Sequence, residues 1–143
     1  MGSKKLCNFL FFLSISIIIF FSIYKLFELD EIHLKNDPIL YKLRELTSPL
    51  HPEIKNLKLY KGEKSYTINK KKIYMCLTDQ DGKYYPMNQL VYVFIHEFAH
   101  YINKEDIGHT QTFHNVFEKL LKDAEEKGIY DSTIPMVENY CNY

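Results

Sequence analysis

The sequence predicts an α+β domain carried behind an N-terminal transmembrane helix, with a short twisted sheet packed on two long helices. Three observations predict it. Residues 6–24, LCNFLFFLSISIIIFFSIY, are uncharged and almost wholly apolar. Residues 54–78 hold short β-type runs separated by turn residues. Residues 86–127 hold two long stretches with helical spacing, the first of them apolar nearly all round. A chain of 143 residues allows one domain of ordinary size. The expected organisation is an anchor at 1–27, a polar juxtamembrane linker at 28–35 and a folded domain at 36–143.

The elements follow in order. As a helix, 19 residues at ~1.5 Å each span about 28 Å, close to the hydrocarbon thickness of a bilayer. The serines in the run, Ser14, Ser16 and Ser22, can return their hydroxyls to carbonyls one turn back. A cleaved signal peptide is the rival, but SIYKLFELD follows the run, with bulky residues where a cleavage site needs small ones. Asn36-Asp37-Pro38 reads as a helix start, and Ile39, Leu40, Leu43 and Leu46 give helical spacing to about Thr47. Ser48-Pro49 and His51-Pro52 end it. Strands are expected in IKNLKLY, SYTI and KIYMCLT, with turns at Lys61-Gly62, Asn69-Lys70 and Asp81-Gly82. A helix should run from near Pro86–Asn88 to about Asn103, a loop from Lys104 to Gly108, and a second helix over about 110–127, stopped by Gly128. The strand Lys72–Thr78 is expected to line the cleft and to offer a free edge. The last 15 residues show no period.

Composition narrows the function. Lys plus Arg and Asp plus Glu are both 18, a formal net charge of zero. The first 27 residues carry Lys4, Lys5 and Lys25 and no acid, which leaves the rest at −3. A globally basic nucleic-acid binder is excluded, and Arg44, the single arginine, makes bidentate phosphate clamps scarce. Within 55–72 there are seven lysines and one acid, Glu63. The plain reading of Lys55–Lys72 is a solvated strand edge, because lysine blunts edge pairing. The functional one is a contact with anionic lipid or nucleic-acid phosphates. Cys7, Cys76 and Cys141 show no C-x-x-C spacing and leave an odd one over, so neither a disulfide framework nor a zinc ribbon is expected. Positive charges on the two sides of the anchor nearly cancel, and there is no N-x-S/T sequon. With unpaired cysteines expected, the balance tips toward a soluble domain in the cytosol.

The chemistry sits in His96-Glu97-Phe98-Ala99-His100, an H-E-x-x-H sequence. On a helix, residues four apart stack on one face, so both imidazoles can reach one ion. Glu97 lies beside that face, where it can act as general base on a metal-activated water. The flanks VYVFI and Tyr101-Ile102 are apolar, and a glutamate with two histidines is costly to bury there without a ligand. A catalytic zinc wants three protein ligands and an open position. The third is His109 or His114. His109 is preferred: it follows Gly108 at the entry to the next helix, with Phe113 packing beneath it. His114 is one turn further on and is expected to point elsewhere. His33 and His51 have no local partner.

The run from Lys72 to Tyr130 resembles the WLM/SprT-like zinc metallopeptidases. The resemblance rests on a strand, a D-x-x-G turn, the HEFAH helix, and G-H-x-x-x-F opening a helix that continues LL-x-x-A-x-x-x-G. With Pro135 and Tyr140-Cys141 the ending is similar to small WLM-like proteins of large DNA viruses. The resemblance implies a minimal zincin fold, with zinc held by His96, His100 and His109 and Glu97 as base. It implies hydrolysis of protein or peptide substrates, in some members proteins crosslinked to DNA. The expectation is therefore a membrane-anchored zinc metallopeptidase. The competing expectations are a catalytically idle, zinc-stabilised interaction module held at a membrane, and metal-dependent hydrolysis of a non-peptide amide. Tyr84, Tyr85, Tyr101 and Tyr130 are candidates for oxyanion stabilisation by type and proximity.

Overall fold

The structure, a computed structural model, describes residues 2–35, 37–104 and 107–142, with the side chains of residue 3 and residues 29–35 outside that description. Asn36, at the expected helix start, and Glu105 and Asp106, in the expected loop, lie outside the described residues. The chain divides into two units, Met1–His33 and Leu34–Tyr143.

The first unit falls on one helix, α1, which runs over Gly2–Lys35. Its stretch Lys4–Glu28 is long and apolar enough to cross a membrane, and none of that span is buried. Ser14 and Ser16 donate to the carbonyls of Phe11 and Phe12 at 2.7 and 3.0 Å, so their hydroxyls are satisfied inside the helix. Residues 28–35, expected as a linker, continue α1. They contain neither Gly nor Pro, and the next proline is Pro38, so nothing local stops the helix earlier.

In the second unit α2 covers Pro38–Thr47, with Asp37 as its cap accepting from the Ile39 N–H at 2.9 Å. Two 3-10 turns, Ser48–Leu50 and Pro52–Asn56, follow. The second takes the first half of the expected strand IKNLKLY, because Pro52 opens a turn and the His51 ring accepts from the Glu53 N–H at 3.2 Å. Arg44 donates to the Leu57 carbonyl at 2.8 Å and ties α2 to the chain entering the sheet.

Three strands, β1 (Lys58–Lys61), β2 (Tyr66–Ile68) and β3 (Lys72–Met75), pair in the order β1-β3-β2. The β1–β3 pair is parallel, with Leu59 beside Ile73, and the β2–β3 pair is antiparallel. Asn69 and Lys70 take left-handed φ of 48° and 52° in the three-residue connection between Ile68 and Lys72, and the Lys71 N–H donates to the Ile68 carbonyl at 3.0 Å. This order corrects one expectation. The strand Lys72–Thr78 has no free edge, because β3 is central and paired on both sides. The outer strands are β1 and β2.

Two long helices complete the unit, α3 (Met87–Ile102) and α4 (Gln111–Glu126). Thr110 caps α4 through the Phe113 N–H at 3.2 Å. Gly128 ends it at φ 65°, a left-handed position that any other residue would occupy under strain. Leu90, Phe94 and Phe98 of α3 are fully buried with Leu40 and Leu43 of α2, Ile73 and Met75 of β3, and Phe113 of α4.

The aperiodic C-terminal tail returns across α3. Asn88 and Asp131 exchange hydrogen bonds at 2.9 and 3.0 Å, and the Val137 N–H donates to Gln89 Oε1 at 2.9 Å. The tail ends in a disulfide between Cys76 and Cys141, with the Cα atoms 6.3 Å apart. This corrects the expectation of unpaired cysteines. Short-range spacing cannot report a bridge between residues 65 apart in sequence. Cys7, on α1, is free.

Candidate metal centre

The apolar stripe of α3 fixes where its polar residues go. Phe94, Ile95, Phe98 and Ala99 face the core, which leaves His96 and His100 half-buried on the side toward α4. Their rings lie 5.0 Å apart, one turn above the other. The chain then turns at Gly108, whose φ of 90° a side chain would resist, and delivers His109 to the same place. His109 Nε2 lies 3.1 Å from His96 Nε2 and 3.2 Å from His100 Nε2. The three histidines form a group able to hold a metal ion.

Phe113 is the floor of this cluster. Its ring is 5.1, 4.2 and 4.9 Å from the rings of His96, His100 and His109, and it is itself buried. Burial and the neighbouring His100, His109 and His114 hold the His96 imidazole down at about 4. Burial, then His109 and Lys70, lower His100 as well. Both rings are therefore neutral near pH 7 and keep a lone pair for a cation. The donor set fits zinc. Four ligands at about 2.0–2.1 Å on a tetrahedron sit roughly 3.3 Å from one another, close to the spacing of these nitrogens.

Glu97 is buried beside the cluster. Thr67 of β2 donates to Glu97 Oε2 at 2.8 Å and also lies 2.8 Å from the Glu97 carbonyl. Burial pushes the Glu97 carboxyl up, and the Thr67 hydrogen bond pulls it part of the way back. Two cavities meet at His96 and Glu97. One, of about 560 Å³, is bounded by Tyr66 and Thr67 of β2, by Asn69 and Lys70 of the hairpin turn, and by the three histidines with Ile107 and Gly108. The other, of about 260 Å³, lies between α3 and the C-terminal tail.

The remaining histidines are placed elsewhere. His114 is exposed, its ring 6.4 Å from that of His109, and it is not part of the three-histidine group. His51 caps a 3-10 turn and packs on Phe98 at 5.4 Å. His33 falls among residues whose side chains are not described. The four candidate tyrosines are occupied away from the histidines. Tyr84 donates to Asp37, the Tyr85 hydroxyl accepts from the Cys141 N–H, Tyr101 stacks on Phe98, and Tyr130 packs on Tyr92. None of the four lines either cavity. The residues that sequence reasoning missed are Tyr66 and Thr67, and Tyr140, noted only for the resemblance, was given no place at the site. No local motif puts them there, since each reaches the site through the sheet or the disulfide. Among the lysines, Lys61 pairs with Asp37 at 3.6 Å, Lys70 donates to the Asn103 carbonyl, and Lys72 lies over the Tyr60 ring at 5.2 Å.

No family model matches the chain, and no solved structure matches it. Among curated proteins it is 48% identical over 88 residues to Uncharacterized protein 136R of Invertebrate iridescent virus 6, a stretch covering 59% of this chain and 49% of that protein. It is 42% identical over 103 residues to Uncharacterized protein 042R of Invertebrate iridescent virus 3, covering 68% of this chain and 64% of that one. The chain thus spans from half to just under two thirds of the length of these relatives.

Proposed function

We propose that this chain is a membrane-anchored, zinc-dependent peptidase of the WLM/SprT-like kind, with the same viral origin as its two relatives. One observation carries the reading: three imidazole nitrogens converge within 4.8 Å of one another, His109 Nε2 lying 3.1 and 3.2 Å from those of His96 and His100, beside the buried carboxylate of Glu97. Imidazoles brought this close gain little from one another, and a shared cation explains both their convergence and the buried acid next to them.

His96, His100 and His109 would hold the zinc. When bound, it would supply Lewis-acid polarisation of a carbonyl and acidification of a water. Thr67 fixes one oxygen of Glu97, and among the described residues nothing engages Oε1. Glu97 thus has one anchored oxygen and one to take a proton from the attacking water, and it then returns that proton to the leaving amine. The outer edge of β2 borders the larger cavity, so an extended substrate can add to the sheet there by main-chain hydrogen bonds.

Residues 6–24 would hold the domain at a bilayer. The expected cytosolic orientation draws on the missing sequon and on unpaired cysteines. With Cys76 and Cys141 joined, an oxidising side of the membrane is the better assignment.

The test is zinc content measured together with peptide cleavage, for wild type and Glu97→Gln in detergent. The variant should keep its zinc and lose roughly 10²–10⁴-fold in hydrolysis, the usual worth of general acid–base help. Zinc binding with no hydrolysis by either protein would select the idle, zinc-stabilised module instead.

A further inference from the structure

The tail beyond α4 has no regular backbone structure of its own: residues 129–142 form neither helix nor strand. Its end, Tyr140 to Asn142, lines the smaller cavity that opens on His96 and Glu97, together with Lys64 and Ser65. Upstream, Asp131 and Val137 are held by Asn88 and Gln89 of α3. Past Val137 the backbone passes through left-handed conformations, with φ of 55° at Asn139 and 51° at Cys141. A cysteine takes that conformation only where its surroundings impose it.

The contacts that impose it gather around the Cys76–Cys141 bond. The Cys141 N–H donates to the Tyr85 hydroxyl at 3.1 Å. The Tyr140 hydroxyl donates to the Cys76 carbonyl and meets Ser65 Oγ at 2.8 Å, and Ser65 Oγ accepts from the Cys76 N–H at 2.9 Å. Ser65 directly precedes β2, and two residues on Thr67 holds Glu97 Oε2. A short run of contacts therefore joins the disulfide to the buried carboxylate. The bond is also placed to be opened. Cys76 is enclosed, whereas Cys141 lines the smaller cavity, which gives a small thiol access to that end. Lys64 on the same cavity favours an approaching thiolate. Cys76 Sγ lies 3.6 Å from the Thr78 carbonyl, an acceptor for the thiol hydrogen that reduction would place there.

We propose that the Cys76–Cys141 disulfide is a redox latch on the metal centre: closed, it holds the tail end against the cavity and steadies β2 behind Glu97, and opened by a dithiol it releases residues 138–142. One thiolate of the dithiol attacks Cys141 Sγ, forms a mixed disulfide and expels Cys76 as a thiolate, which takes up a proton. The second thiol of the reagent then displaces Cys141. The protein gains two thiols, and the dithiol leaves as a disulfide. Release relieves the left-handed backbone at Cys141 and removes the Tyr140–Ser65 contact at the start of β2. The three histidines stay in place, because α3 and the turn at Gly108 position them without the tail. The latch itself needs no assumption about activity. Its effect on hydrolysis rests on the peptidase reading.

The test compares two samples of the full-length chain in detergent, one oxidised and one reduced with dithiothreitol. Both are treated with iodoacetamide, so that Cys7 is modified alike and the reduced pair cannot close again, and both are cleared of reagents before zinc is added. Hydrogen exchange at the Cys141 and Asn142 amides, which are bonded to Tyr85 and to the Asn139 carbonyl in the closed form, should speed up at least about 10-fold on reduction. Exchange in α3 and the zinc content should not change. Peptide cleavage should fall by about 10-fold, a part of the 10²–10⁴-fold that a well-placed base supplies. The double variant Cys76→Ser/Cys141→Ser should behave as the reduced chain without any reagent. A bond that resists the dithiol, or tail amides that stay protected after it opens, overturns the latch. So does loss of protection in α3 together with zinc, which would make the bond a staple of the whole domain. Unchanged cleavage by a chain whose tail is released overturns the control of the centre. Release of the tail with zinc kept, but no cleavage of peptide by either sample, would reject the peptidase reading and uphold the latch.

Discussion

Two helices of this chain draw on the same apolar residues and come to opposite ends. In the Lys4–Glu28 stretch of α1 none of the span is buried inside the protein. In α3, Leu90, Val91, Phe94, Ile95, Phe98 and Ala99 are all buried. The difference lies in where polar residues interrupt the pattern. Within residues 6–24 of α1 the polar residues carry no charge, and Ser14 and Ser16 close on their own helix, so the faces stay largely apolar and suit a lipid environment. In α3 they are His96, Glu97 and His100, which gather toward one side. A helix with such a side must find partners for it, and Phe113 of α4 and Thr67 of β2 supply them. A long apolar helix is therefore read less by its hydropathy than by whether its polar groups are satisfied within it.

The most severe way to break this comparison is to make one truncation in each helix. Phe98→Ala removes a buried ring that packs on Phe94, Tyr101 and His51. It should cost about 3–5 kcal/mol of domain stability. Phe12→Ala in α1 should leave the unfolding of the domain unmoved. Thermal unfolding of both variants in detergent decides the point, and equal losses would mean that α1 belongs to the folded core.

A second experiment sharpens the role given to the polar side of α3. His109→Ala should weaken zinc binding by more than about 100-fold, beyond the 10–100-fold typical of residues that merely orient a ligand. His114→Ala should change it by no more than a few-fold, since that ring stands away from the three nitrogens. Zinc titration against a competing chelator reads both. Tight binding retained by His109→Ala would remove it from the ligand set.

The smallest effect is expected from deleting residues 1–27. The truncated domain should dissolve without detergent, bind zinc and unfold within about 0.5 kcal/mol of the full chain, because an element with no buried surface contributes nothing to the core. Aggregation with loss of zinc would place the apolar helix in the domain.

The local parts of this architecture were legible from sequence. The start of α2 at Asp37-Pro38, the stop of α4 at Gly128, the hairpin turn at Asn69-Lys70, and the placing of His96 and His100 on one side of a helix each depend on a few adjacent residues and their backbone preferences. His109 was legible for the same reason, since a glycine turn and a helix entry bring it back within a short span. The order of the strands was not. Which of β2 and β3 lies outermost is decided by a parallel pairing of β1 with β3 that no turn residue encodes. Thr67 reaches Glu97 across 30 residues of sequence. Cys141 reaches Cys76 across 65, guided by Asn88, Gln89 and Tyr85 holding the tail on the way. Short-range order follows from the conformations a few residues allow. The edge beside the centre and the wall of its smaller cavity come from contacts that exist only once the core has closed and brought distant segments together.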